Sequence, residues 1–229
     1  LKRGFLMTLS FLVMFTLCFL VILDTPAQLQ DAASVANVFF GTLLTWGLAH
    51  AYEKATEASQ KKLRKLAITD HLTGLYNRSL LKASFEMAQE KTQFEYTKLA
   101  VLVLDLDHFK DINDNHGHDV GDCILKAFSA IIKSLISDQS YAFRMGGEEF
   151  CLICPNNSLE QATALGESIR SRADEQEIEI NGAILRYSVS CGVAASLDKD
   201  TTFKALHAAA DKRLYMAKSS GRNQVINQG

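Results

Sequence analysis

Residues Lys98 to Leu104 form a nearly continuous apolar run that ends on Asp105 and, two residues on, Asp107. A run so short and so uniformly apolar suits a strand covered on both faces, which places it at the centre of a sheet with helices on either side. A carboxylate at the end of such a strand lies where α/β arrangements commonly hold their ligands. The flanking pattern agrees with this placement. Helices are predicted from about Arg78 to Gln93, in a short stretch reaching Asn113, and over Asp119–Ile136, Leu159–Asp174 and Thr202–Ser219. Strands are predicted over Tyr141–Met145, Glu149–Ile153 and Leu185–Ala195, with Val225-Ile226 closing the sheet. Gly146-Gly147 supplies the positive φ that a tight hairpin needs. Asp70 can cap a helix, although Gly74 points to a turn before the first long one. The class is α+β, a mixed sheet packed by helices.

The segment before this domain differs in composition. Phe5–Leu23 carries no charge, is almost wholly apolar and matches the length of a membrane-crossing helix. A second, less apolar span covers residues 32–52, interrupted by Asn37, Thr42 and Thr45. Lys2 and Arg3 precede the first span, and Lys54, Lys61, Lys62, Arg64 and Lys65 follow the second. The connection between them has no basic residue, so both ends are expected on the cytoplasmic side of an inner membrane, in contact with lipid. Residues 53–67 are rich in good helix formers and form either a solvated spacer or a short coiled coil pairing two copies. Residues 68–229 form the remaining domain. The chain begins with Leu1, as expected of a piece of a longer sensor or of a misassigned start. A net charge of -2 excludes a general nucleic-acid binder. Cys151-x-x-Cys154 lies on a predicted strand, where residues three apart face opposite ways, so a zinc or redox pair is not expected.

Three carboxylates carry the chemistry. Glu148 and Glu149 leave the glycine hairpin on opposite faces, and one of them can meet Asp105 if the hairpin lies beside the central strand. Carboxylates that converge repel one another unless a cation separates them, and hard oxygen donors suit Mg2+ or Mn2+. Asp107 and Asp119 read as helix N-caps, and His116 as a turn residue.

The segment from Val101 to Asp122 (VLVLDLDHFKDINDNHGHDVGD) is joined by Asp70–Arg78 (DHLTGLYNR), Arg144–Phe150 (RMGGEEF), Ser188–Val193 (SVSCGV) and Ala210–Asn223 (ADKRLYMAKSSGRN). Together these motifs, in this order and at this spacing, resemble the GGDEF family of diguanylate cyclases over about Ala67 to Ile226. The resemblance implies a palm-like nucleotide-cyclase sheet covered by helices. It implies condensation of two GTP into cyclic di-GMP with release of two pyrophosphates, by a homodimer using two Mg2+ or Mn2+ ions per GTP. By the same resemblance Asp105, the carbonyl of Leu106, Glu148 and Glu149 hold metal, and Glu148 accepts the proton. Asn113 and Asp122 read the guanine edge, with His118 lining the same pocket. Amides of His108 and Phe109 cradle phosphate, while Lys110, Lys218 and Arg222 neutralise the triphosphate. Lys218 and Arg222, four apart at a helix end, are expected to reach one anion.

Two departures matter. The third signature position is Glu148 where Asp is the commoner form, and either is a carboxylate. Ser137 and Ser140 stand where many members carry the Arg and Asp of an inhibitory product site, so feedback through that site is expected to be absent. The alternative is a GTP-binding regulatory module without turnover.

Overall fold

The computed structural model describes residues 11–17, 19–20, 24, 32–93, 98–180, 182–198 and 200–229. It divides into two compact units, Leu1–Arg64 and Lys65–Gly229. Most of the expected span 5–23, with Lys2, Arg3 and Cys18, lies outside the described residues.

In the N-terminal unit residues 11–17 are helical; α1 covers Ala32–Ile68, with its residues 65–68 belonging to the second unit. The two helices meet through aromatic rings. Phe11 lies 5.3 Å from Trp46, and Phe15 stands edge-on to Phe39 at 4.9 Å. Among the described residues no helix is long and apolar enough to cross a membrane, which is the outcome for the second expected span, 32–52, whereas the first lies largely outside those residues. The second expected span is helical, but Asn37, Thr42, Thr45 and His50 dilute its apolar character. The linker is helical, as its composition requires, because α1 continues through it without Gly or Pro.

The C-terminal unit has a six-stranded mixed sheet covered by helices. Its elements are β1 (Tyr76–Asn77), a 3-10 turn at Arg78–Leu80, α2 (Leu81–Gln93), β2 (Leu99–Leu106), α3 (Phe109–His116), α4 (His118–Leu135), β3 (Tyr141–Gly146), β4 (Glu149–Pro155), α5 (Leu159–Glu175), β5 (Ile178–Ile180), β6 (Ala183–Leu185), β7 (Val189–Ser196), α6 (Phe203–Ser219) and β8 (Val225–Ile226). The strand order is β1-β3-β4-β2-β7-β8. β2 is central and pairs antiparallel with β4 and β7, while β1 and β8 add in parallel at the edges.

The apolar run becomes a two-faced strand, buried along its whole length. Ala100, Leu102, Leu104 and Leu106 join a core with α4 and α5, whereas Leu99, Val101 and Val103 join one with α2 and α6. Cys154 falls in the first core and Cys151 in the second, as strand alternation demands. Both are free thiols, and burial pushes Cys154 up to about 12, so neither is a thiolate at neutral pH. Gly192 lets α6 lie directly on β7, since a Cβ there would sit 2.0 Å from the carbonyl oxygen of Ala210.

The predicted strand Leu185–Ala195 is broken. Ala183–Leu185 pairs with Ile178–Ile180 in a separate hairpin, and the chain re-enters the main sheet only at Val189. Phe128 is fully buried, edge-on to Phe150 at 4.9 Å and to Tyr187 at 6.4 Å. Phe128→Ala is therefore expected to lower unfolding free energy by about 3–5 kcal/mol, read from the midpoint of a urea titration.

Candidate active site

Several of the expected site residues lie at the C-terminal end of β2. Asp105 lies opposite Glu149 on β4 and Ser190 on β7. Leu106 donates its amide to the carbonyl of Glu148 at 3.4 Å, which joins the hairpin turn to the strand end. Asp105 is buried, with its side chain 7% exposed, and Lys218 of α6 reaches it at 2.8 Å. Burial pushes the Asp105 carboxyl up; the Lys218 ammonium pulls it down, and the charges of Glu148 and Glu149 add to the rise. The net direction is upward, with burial as the largest cause.

The donors suit a hard divalent cation, since Asp105, the Leu106 carbonyl, Glu148 and Glu149 are all oxygen ligands. They flank the notch without closing on it. Among the described residues no three His, Cys, Asp or Glu side chains gather closely enough to hold one ion. Glu148 is half-buried and Glu149 exposed.

Helix α3 starts beside this notch. Its N-cap is His108, in left-handed conformation (φ 55°), with no side-chain cap bond. No side chain therefore caps the first amides of the helix. His108 Nδ1 lies 3.1 Å from Asp111 Oδ2, and Lys110 is exposed on the first turn.

Asn113 on α3 and Asp122 on α4 come together through Gly121. A Cβ on Gly121 would sit 2.0 Å from Asn113 Oδ1, so the amide of Asn113 lies against the α4 backbone one residue from Asp122. Both residues are half-buried, and His118 is exposed at the start of α4. Among the described residues, no hydrogen bond engages the side chains of Asn113, Asp122 or Arg222.

Several sequence expectations need correction. Asp119 does not cap α4; Gly117 is the N-cap and Asp119 sits in the first turn. Asp107 does not cap α3 either. It is buried and accepts hydrogen bonds from Ser188 Oγ (2.7 Å), Ser190 Oγ (2.7 Å) and the Asn223 amide (3.0 Å). Asp70 is no helix cap, since its Oδ1 accepts from the Thr73 amide at 2.9 Å and hydroxyl at 2.7 Å within a turn. Lys218 and Arg222 do not share a helix face, because α6 ends at Ser219 and Arg222 follows in a left-handed turn (φ 63°).

The sequence reading also missed a clamp. Arg144 donates to Gly147 O at 2.9 Å and to Asp70 Oδ1 at 3.2 Å, fixing the hairpin that carries Glu148 to the turn at residues 70–75. Both partners lie in the quoted motifs, but their contact spans strands that only the sheet brings together. Burial raises the Asp70 carboxyl, but the hydroxyl and amide of Thr73, together with Arg144, outweigh it and hold the group below its ordinary value. The resulting stability is present above the unfolded-state pKa and is lost as pH falls through the folded one. Asp70→Asn should therefore lower the neutral plateau of a plot of Tm against pH and flatten its acid limb, so that the two proteins converge as pH falls.

Comparison with known proteins gives one consistent picture. A family model described as "Diguanylate cyclase, GGDEF domain" matches residues 67–224. A curated Staphylococcus aureus (strain USA300) sequence, described as an uncharacterized membrane protein, is 36% identical over 159 residues, covering 69% of this chain and 45% of that one. The chain thus spans less than half the length of the curated relatives it matches. Among solved structures, the coiled coil and GGDEF domain of DgcB from Caulobacter crescentus, in complex with c-di-GMP, superposes with a TM-score of 0.75 at 26% identity, covering 81% of this chain and 98% of that one. Diguanylate cyclase SiaD from Pseudomonas aeruginosa, in complex with its activator SiaC, superposes with a TM-score of 0.68 at 25% identity, covering 99% and 86%. A sensory box/GGDEF family protein from Caulobacter crescentus CB15 does so with a TM-score of 0.63 at 35% identity, covering 67% and 99%.

Proposed function

Because this chain belongs to the GGDEF family of diguanylate cyclase domains, we propose that it condenses two GTP molecules into cyclic di-GMP and two pyrophosphates. The observation that carries the reading is the notch at the end of β2, where buried Asp105 meets Lys218 beside Glu148, Glu149 and the bare start of α3. Asp122 accepts N1-H and N2-H of guanine, and Asn113 bonds the same edge. Adenine lacks that donor pair and would leave the carboxylate unpaired, so GTP is selected over ATP.

The α3 amides, Lys110, Lys218 and Arg222 hold the triphosphate. Asp105, the Leu106 carbonyl, Glu148 and Glu149 would hold the divalent ions, which when bound offset charge on the phosphates and acidify a hydroxyl. Glu148 takes the proton from the 3′-hydroxyl of one GTP as that oxygen attacks the α-phosphate of the other. Pyrophosphate leaves, and a second such step closes the ring. Each chain presents one set of nucleotide-holding side chains, so two chains must face each other as a homodimer, and their spacing governs rate through positioning.

The test is to incubate the full chain, in detergent, with GTP and Mg2+, with ATP as control. Cyclic di-GMP from GTP alone supports the reading. The separation of the carboxylates favours a second reading, a regulatory module that binds GTP without turnover. GTP binding without product, in protein shown to be dimeric, would establish that one.

Two further features belong to this reading. Ser137 and Ser140 bond each other at 3.0 Å and offer no charged clamp for product. Progress curves are expected to stay free of noncompetitive product inhibition; strong inhibition of that kind, lost on substituting these serines, would overturn the expectation. In the N-terminal unit, exposed Leu12, Leu17, Leu20, Phe40, Leu43 and Leu48 call for apolar surroundings, and Thr42 and Thr45 bond back to their own helix. With relatives described as membrane proteins, this favours attachment to an inner membrane with the cyclase domain on the cytoplasmic side. Retention in the membrane pellet after alkaline washing is the expected result, and release of the chain would sink it.

A further inference from the structure

The residues after α6 adopt an unusual backbone. Gly221, Arg222 and Asn223 have φ of 113°, 63° and 43° in succession, and two of these residues carry a Cβ. Side chains rarely tolerate the left-handed region, so such a turn persists only where its surroundings over-determine it. Three anchors do so. The Arg222 amide donates to Ala217 O at 3.0 Å, closing the end of α6. The Asn223 side chain accepts from Arg170 Nη1 at 3.0 Å and donates to Asp174 Oδ1 at 3.1 Å, both on α5. The Asn223 amide donates to Asp107 Oδ2 at 3.0 Å.

The last anchor differs from the others. Asp107 is 4% exposed and two residues beyond Asp105. Its carboxylate takes one bond from each of Ser188 and Ser190, and the Asn223 amide completes the set. The end of the strand that carries the catalytic carboxylate is thereby tied to the turn that carries Arg222.

We propose that Asp107 is a positioning residue, holding the Arg222–Asn223 turn in its left-handed conformation so that Arg222 is presented to the triphosphate of the bound nucleotide. The proposal rests on the reading of this notch as a GTP site. Asp107 itself touches no nucleotide; it acts through the backbone of the following turn. Because Arg222 serves the phosphates and not the base, loosening the turn weakens binding in proportion to the phosphates present.

The experiment titrates the full chain with GTP and with GMP in Mg2+ buffer, for the unsubstituted protein, Asp107→Ala, Asp107→Asn, Arg222→Ala and the double variant Asp107→Ala/Arg222→Ala. Asp107→Ala should raise the Kd for GTP roughly tenfold and that for GMP less than about twofold. Asp107→Asn, whose amide oxygen can still accept from Asn223, should recover GTP affinity to within about threefold. In the Arg222→Ala background, Asp107→Ala should add almost nothing. Equal losses for GTP and GMP, no loss for either, or full additivity with Arg222→Ala would overturn the proposal. If Asp107→Ala does not fold, Asn223→Ala reads the same turn from its other anchor and is held to the same pattern. Failure of the unsubstituted chain to bind GTP would instead sink the parent reading.

Discussion

Glu148→Gln is expected to lower kcat for cyclic di-GMP formation by about 10²–10⁴-fold while leaving GTP affinity within a few-fold of the starting value. The substitution keeps the shape and one oxygen of the side chain but removes its charge and its capacity to take a proton. Glu148 stands in the turn that Arg144 fixes through Gly147, and its carbonyl receives the Leu106 amide. The glutamine should therefore occupy the same place, so that chemistry is lost and folding is not. The same change relieves the Asp105 carboxyl of one of the two negative charges that push it up. Steady-state kinetics and direct GTP titration check the two halves separately. A variant that keeps more than about a tenth of kcat would remove Glu148 from the proton transfer.

Gly121→Ala should raise KM for GTP by about tenfold or more and weaken discrimination against ATP. A Cβ at this position would lie 2.0 Å from Asn113 Oδ1 and 3.1 Å from Phe109 Cζ. Phe109 is buried and anchors the start of α3, so the amide of Asn113 has to give way. The nucleobase then loses a partner that α4 had held in place. Stability offers an internal control, because alanine in a helix interior is favoured over glycine by roughly 0.5–1 kcal/mol. Affinity should fall while Tm holds or rises, a pairing that general unfolding cannot produce. Equal KM values for the variant and the parent would show that Asn113 does not read the base.

Much of this architecture could be read directly from the chain. The run ending at Asp105 suited a strand covered on both faces, because it is of strand length and nearly every successive side chain in it is apolar. The helices that cover it announced themselves by period, and the hairpin at Gly146-Gly147 by its need for positive φ, observed as 149° and 56°. The candidate site residues were found because their types and spacing make a motif.

Some contacts were illegible for a physical reason: their partners are distant in sequence and meet only through the sheet. Asp107 looked like a helix cap because a local role was the one its neighbours suggested, yet its partners are Ser188, Ser190 and Asn223. A spacing of four suggested one shared anion for Lys218 and Arg222, although the predicted helix itself stops at Ser219; the left-handed turn that follows α6 carries Arg222 off the helix face. The break at residues 186–188 escaped notice because a small separate hairpin competes for Ala183–Leu185. Periodicity and residue chemistry are properties of neighbours along the chain, so the sequence by itself determined the elements, their faces and the donors available to the site. Register, close approach and the partner of a buried charge are properties of neighbours in space, and the tertiary structure alone decided that Arg144 clamps the hairpin, that Gly121 seats Asn113 and that Asp107 holds the turn behind Arg222.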